Sequence, residues 1–398
     1  MSGGGTESSS AAALDCDRLV SEACEATGLA DFGAEGWREG LERLVASLRD
    51  EAALNDVGHL VAGGEIQQYL TNRLRITEWH RVHPEASAID VSPPIVIIGQ
   101  GRTGTTILHD MIAQDPANRV PLTWEVDRPL PPPEPATYES DPRIDEVQAQ
   151  LDMSELVIPG FKAMHPMGAR LPQECVRITA ADYRSMIFPT QYRAPSYARW
   201  LLGEADMGSA YRWHRRYLQV LQWRHRGQRW VLKSPGHLWA LGALLAEYPD
   251  ALLVQTHRDP LRIIASIASL RSTLRRLASD DPSTPADAAE FAEYIVDGLD
   301  RSVRDREDGT VPADRVVDVQ FADFMADPFA TIRAIYARLG LELSADAESR
   351  MRAFLADNPQ DKHGRHRYSF ADSGLDAGEW RDRARRYQQY FDVPSEVV

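Results

Sequence analysis

Ile95-Val96-Ile97-Ile98-Gly99-Gln100-Gly101-Arg102-Thr103-Gly104-Thr105-Thr106 reads as a buried strand, a glycine turn and the start of a helix. A parallel strand covered on both faces is written as continuous β-branched residues, and Ile95 to Ile98 has that form. The glycines let the backbone curl tightly. Successive amides at the mouth of the next helix then point into one small volume, where they and the helix dipole attract phosphate oxygens. The loop is built for an anion.

Three nucleotide-binding frames fit these letters, and they differ chemically. Gly99 to Thr106 matches GxxxxGK[ST] except that Thr105 stands where the lysine belongs, so the β,γ-phosphate contact of an ATPase or GTPase is missing. The same residues spell GxGxxG, with Glu125 about 20 residues on, where a ribose-binding acid would sit. That frame needs a second strand ending at Glu125, yet Asn118-Arg119-Val120-Pro121-Leu122-Thr123-Trp124 contains a proline and little alternation. In the third frame Arg102 supplies a cation and Thr105 and Thr106 two hydroxyls, a set suited to a phosphosulfate without a metal.

Other apolar strands end in polar turns. Ala251-Leu252-Leu253-Val254-Gln255-Thr256 runs into His257-Arg258-Asp259-Pro260, where Asp259 caps a helix and Pro260 enters its first turn. Arg229-Trp230-Val231-Leu232 leads to Lys233-Ser234-Pro235-Gly236-His237. Ligands of open parallel sheets bind at the carboxyl ends of the strands, so Lys233 and His237 are expected to face one.

Arg102-Thr103-Gly104-Thr105-Thr106 resembles the first motif of the sulfotransferases that use 3′-phosphoadenosine 5′-phosphosulfate, in the bacterial and Golgi-type branch whose loop runs R-[ST]-G-T-T. The resemblance covers roughly residues 94–390. It implies a P-loop-like α/β fold, a short parallel sheet wrapped by helices, and sulfuryl transfer to a hydroxyl, leaving 3′,5′-diphosphoadenosine. It implies that Gly101, Arg102, Thr103, Gly104, Thr105 and Thr106 hold the phosphosulfate, and that Arg258 and Ser266, eight residues apart, hold the 3′-phosphate. Phe321, in a segment like the family's Y-E-D-x-x-x-D-P, stands where relatives place an aromatic near the adenosine. Lys362-His363-Gly364 is a loose counterpart of a closing basic loop. Lys233 and Ser234 match a lysine and threonine of the cytosolic enzymes, but Pro235 holds the position of their catalytic histidine and His237 is displaced by two. Glu125 is the other candidate base, because protein-tyrosine sulfotransferases use a glutamate at about this distance from the loop. It is favoured over His237, although the match needs a short insertion. Arg102 and Lys233 would meet charge building on the departing 5′-phosphate, which is electrostatic catalysis.

The 398 residues, 43% apolar, allow a sizeable core, and a formal net charge of -15 argues against nucleic-acid binding. Cys16, Cys24 and Cys175 have no paired spacing, which suits a reducing, cytoplasmic setting. No signal sequence and no uninterrupted apolar stretch of about 18 residues is visible. A disordered tail is expected over residues 1–12, a helical region over 13–84 and the catalytic domain over 85–398, inside which Pro129-Leu130-Pro131-Pro132-Pro133-Glu134-Pro135 is an extended connector. Within it, helices at about 136–226 carry Met153, Phe161, Met164, His165, Met167, Tyr183, Met186, Phe188, Tyr192, Tyr197 and Trp200, a mixture suited either to an apolar, lipid-like acceptor or to ordinary core. A nucleotide kinase and a catalytically silent nucleotide-binding protein are the competing classes. Acceptor identity and self-association as a homo-oligomer stay open.

Overall fold

The structure is a computed structural model that describes residues 14–33, 36–91, 93–157, 166–281, 283–359 and 368–397. Its centre is a five-stranded, all-parallel sheet in the order β2-β3-β1-β4-β5. The strands are β1 (Ile95–Ile98), β2 (Asn118–Arg119), β3 (Arg229–Lys233), β4 (Leu252–His257) and β5 (Val316–Gln320). All four residues of β1 are buried because it is the central strand. Val96 and Ile98 join the larger hydrophobic core on one face, while Ile95 and Ile97 join a second core on the other. Each such side chain contributes about 1.5–3 kcal/mol, which explains a run of β-branched residues with no polar alternation.

The strand after the loop helix is the exception to easy reading. Only Asn118 and Arg119 pair with β3, and Pro121 then ends the ladder before a short helix, Thr123–Asp127. Register matters more elsewhere: Ile97 stands opposite Lys233 and Ile98 opposite Gln255. The carboxyl ends of β1, β3 and β4 therefore finish at one level, where the chain reverses its direction of travel across the sheet.

Three helices precede the sheet. Asp15 caps α1 (Cys16–Thr27), which ends at Gly28 with φ of 68°. In α2 (Trp37–Glu51) the residues Leu41, Leu44, Val45 and Leu48 face inward at helical spacing. Asn55 caps the long α3 (Asp56–Val82), seated against the helix Pro260–Ala278 through the Asn55 amide on the Ala278 carbonyl at 2.9 Å. Residues of all three helices share the larger core with the sheet. Among the described residues no helix is long and apolar enough to cross a membrane.

Candidate functional site

The turn after β1 is shaped by contacts that tolerate little else. Gly99 has φ of 132°, and a Cβ there would lie 2.3 Å from Thr256 Oγ1. Thr103 Oγ1 donates to the Gln100 carbonyl at 2.6 Å and lies 2.6 Å from Thr256 Oγ1, tying the turn to β4. Arg102 adopts a left-handed φ of 72°, a strained state for a residue with a Cβ. Gly104, at φ of 88°, starts α4 (Thr105–Ile112) without a side-chain cap. The amides of the first turn of α4 are thus left to an anion rather than to a Ser or Asp.

The second motif meets the first. Arg258, at the end of β4, donates from Nη1 to the Arg102 carbonyl at 2.9 Å, and Arg102 Nε donates to Ser266 Oγ at 3.0 Å. Asp259 caps the Pro260–Ala278 helix through the Leu261 amide at 3.0 Å, which fixes the phase that brings Ser266 inward. The Arg258 guanidinium lies 3.9 Å from the centre of the Phe321 ring, whose edge would touch a Cβ on Gly104 at 3.2 Å. Burial, with Arg258 alongside, pulls the Arg102 guanidinium below its ordinary value. Arg258 also carries a carboxylate: Glu396 receives its Nε at 2.8 Å and its Nη2 at 3.0 Å, and Arg262 lies 3.5 Å away. The Glu396 amide is pinned to Asp259 at 2.6 Å.

On the other side of β1, Lys233 is almost wholly buried, 3.4 Å from Thr106 Oγ1, and paired with Glu174. His237 follows Ser234, which caps its own turn through Gly236. Its Nδ1 lies 2.8 Å from the Tyr211 hydroxyl, and its Nε2 has no partner among the described residues. A hydroxyl donating to Nδ1 leaves the fewest groups unpaired and puts the ring proton on Nε2, so the free nitrogen is a donor. Burial pushes this ring down to about 3, so it is neutral near pH 7. His237 lines a cavity of about 30 Å³ with Cys175, Val176, Met186 and Ser234, room for one or two waters.

Glu125 sits in a closed set of local partners. It is fully buried and accepts from Arg119 through both oxygens, from the Leu122 amide at 2.9 Å and from the Tyr138 hydroxyl at 3.1 Å. Its lone pairs close a local clamp. Among the aromatic residues set aside for an acceptor pocket, Tyr183, Phe188 and Tyr197 are core, with Tyr183 donating to the Ile66 carbonyl and Tyr197 to that of Tyr183. Among the described residues of that acceptor-pocket mixture, Met186 lines the cavity. Lys362, His363 and Gly364, and with them Phe161, Met164 and His165, lie outside the described residues.

Sequence reasoning missed Glu174, Glu396 and Asp110. Glu174 and Glu396 carry no local motif, and only the tertiary register brings them to Lys233 and Arg258. Asp110 had a signal: it is one helical turn past Thr106 and so on the same face of α4. Burial pushes its carboxyl up to about 7, against the pull of Lys233. The cations Arg102, Lys233 and Arg258, the hydroxyls of Thr106 and Ser266 and the Phe321 ring form a set that fits a nucleotide with two separated anionic groups. Among the described residues no group of three or more His, Cys, Asp or Glu is placed to hold a metal ion.

Comparison with known proteins gives a consistent result. Residues 93–345 match the model of the Sulfotransferase family. The omega-hydroxy-beta-dihydromenaquinone-9 sulfotransferase Stf3 of Mycobacterium bovis is 26% identical over 323 residues, 76% of each chain. Among solved structures, sulfotransferase STF1 from Mycobacterium tuberculosis H37Rv is 33% identical with a TM-score of 0.83, covering 92% of this chain and 97% of that one. Sulfotransferase STF9 from Mycobacterium avium is 29% identical with a TM-score of 0.88, covering 99% and 100%.

Proposed function

The chain belongs to the sulfotransferase family, and on that premise we propose that its donor is 3′-phosphoadenosine 5′-phosphosulfate and its acceptor a small, apolar, lipid-like alcohol. Gly101 to Thr106 and Lys233 hold the phosphosulfate arm; Arg258 and Ser266 hold the 3′-phosphate, with Phe321 beside the adenine. The observation that carries this reading is the meeting of two motifs 156 residues apart, Arg258 Nη1 on the Arg102 carbonyl. Three cations in one crevice suit a donor with charge at both ends, and they suit ATP less because the loop lacks the lysine for β,γ-phosphates.

The residues act by position and charge. The loop amides and Arg102 orient the sulfuryl group, and Lys233 meets the charge that grows on the 5′-phosphate as its bond to sulfur lengthens. The likeness to a sulfotransferase named for a menaquinone-derived alcohol supports an apolar acceptor. It would enter past residues 136–226, on the side where Cys175, Val176 and Met186 line the cavity. Three free cysteines support a reducing, cytoplasmic setting.

Calorimetry with 3′,5′-diphosphoadenosine, ATP and NAD tests the donor. The diphosphate is expected to bind best, and Arg258→Ala and Ser266→Ala to weaken it, the former by about tenfold or more. Tighter binding of ATP would overturn the assignment.

A further inference from the structure

We propose that Arg262 is a specificity-determining residue of the donor site, a second guanidinium on the 3′-phosphate that neither motif spacing nor family resemblance assigned. The inference rests on the donor reading above and adds one residue to it. Its ground is a group of the chain itself: the Glu396 carboxylate lies between Arg258 and Arg262 and marks where an anion sits. Both of its oxygens go to Arg258, one to Nε at 2.8 Å and the other to Nη2 at 3.0 Å. Arg262 Nε is left at 3.5 Å, beyond good hydrogen-bond length, and among the described residues that buried N–H has no hydrogen-bond partner.

The number of oxygens explains the gap. A carboxylate has two oxygens in one plane, and the fork of Arg258 uses both. A phosphate monoester has three terminal oxygens, so it can satisfy the same fork and still present one to Arg262. Charge leads to the same place. Arg258, Arg262 and Arg381 gather around the turn against two carboxylates, Asp259 and Glu396. One positive charge is in excess, and exchanging the Glu396 carboxylate for a 3′-phosphate of charge about -2 closes the balance.

The neighbours of Arg262 hold it ready. It stands in the first turn of the Pro260–Ala278 helix, four residues after Arg258, and its guanidinium lies 5.3 Å from the centre of the Tyr368 ring. Arg258 is backed in the same manner by Phe321 at 3.9 Å. A ring behind each guanidinium restrains its plane, so less side-chain freedom is lost when a phosphate binds. Asp259, the other acid of the turn, has its oxygens spent. Its Oδ1 accepts from Arg381 at 2.6 Å and from the Leu261 amide at 3.0 Å, and its Oδ2 from the Glu396 amide at 2.6 Å.

The 3′-phosphate is what distinguishes 3′,5′-diphosphoadenosine from 5′-AMP, so the effect of Arg262 must appear in the ratio of their affinities. Calorimetry on the full chain with both nucleotides reads that ratio. Wild type is expected to prefer the diphosphate about 100-fold or more, and Arg262→Gln to weaken the diphosphate about tenfold while 5′-AMP stays within about twofold. Arg262→Lys keeps the charge without the planar fork and should recover only part of the loss. Glu396→Gln should tighten the diphosphate about three- to tenfold, because a competing charge is gone. A purely structural role for Arg262 would weaken both nucleotides alike, and that result, or no loss in either, overturns the proposal. Diphosphate affinity that falls or stays level in Glu396→Gln overturns it too. A wild type that binds 5′-AMP as tightly as the diphosphate would instead remove the donor reading itself.

Discussion

Glu125 and Asp110 show how two buried acids of one site region differ by their partners. Glu125 shares both oxygens with Arg119, and the Leu122 amide and Tyr138 hydroxyl complete its shell. Removing the charge from one side of a buried pair costs about 3–5 kcal/mol, so Glu125→Gln is expected to lower the thermal midpoint by about 5–10 °C. Turnover of the folded variant should stay within about threefold, and a large loss of turnover at an unchanged midpoint would return the base role to this residue. Asp110 has no such shell, and its carboxyl sits at about 7, where an unfolded carboxyl would already be ionised. The folded state therefore binds more protons than the unfolded state between about pH 4 and 7, and stability is lost as pH rises through that window. Asp110→Asn should stabilise at pH 8 by up to about 4 kcal/mol and hardly at all at pH 4. Urea unfolding at the two pH values measures this, and an equal gain at both would show that the carboxyl is not under strain.

At the scale of elements, the loop and the strands explain what a reader of the chain can see. β1, β3 and β4 are recognisable because strands buried on both faces become short apolar runs. The two residues of β2 are not, since their pairing is decided by β3 and broken by Pro121. Arg102 and Arg258 are local to strand-to-helix turns and so were legible, whereas Ser266, inside the Pro260–Ala278 helix, came only from the family resemblance. Glu174 was not, because its importance comes from Lys233, 59 residues away in the chain. The partner of Glu125 was equally hidden: distance along the chain set it beside the loop motif, while in the fold Arg119, six residues before it, pairs with it. The turn itself can be tested at Gly104. An alanine there must hold φ of 88° and meet the Phe321 ring at 3.2 Å, a strain of about 1–2 kcal/mol. We expect Gly104→Ala to fold and to bind 3′,5′-diphosphoadenosine about tenfold more weakly by calorimetry. Unchanged affinity would separate the first amides of α4 from the nucleotide site.

For the molecule as a whole, buried imidazoles set the acid limit. His109, His214 and His237 are each pushed down to about 3, chiefly by burial. Each ring is neutral when folded and takes a proton more readily when unfolded, so its contribution is complete above about pH 6.5 and is lost as pH falls toward 3. Together the three would cost on the order of 10 kcal/mol at pH 4, comparable to the whole stability of an ordinary domain. A urea midpoint that stays flat from pH 7 to 4 would contradict this. A last consequence concerns the segment that carries Glu396, whose carboxylate sits on Arg258 and whose amide sits on Asp259. Any nucleotide anchored by Arg258 must evict that side chain first, so ligation and release of this strap are two readings of one equilibrium. A protease that nicks the strap, or a dye attached near Val397, then becomes a gauge of occupancy that needs no knowledge of the acceptor.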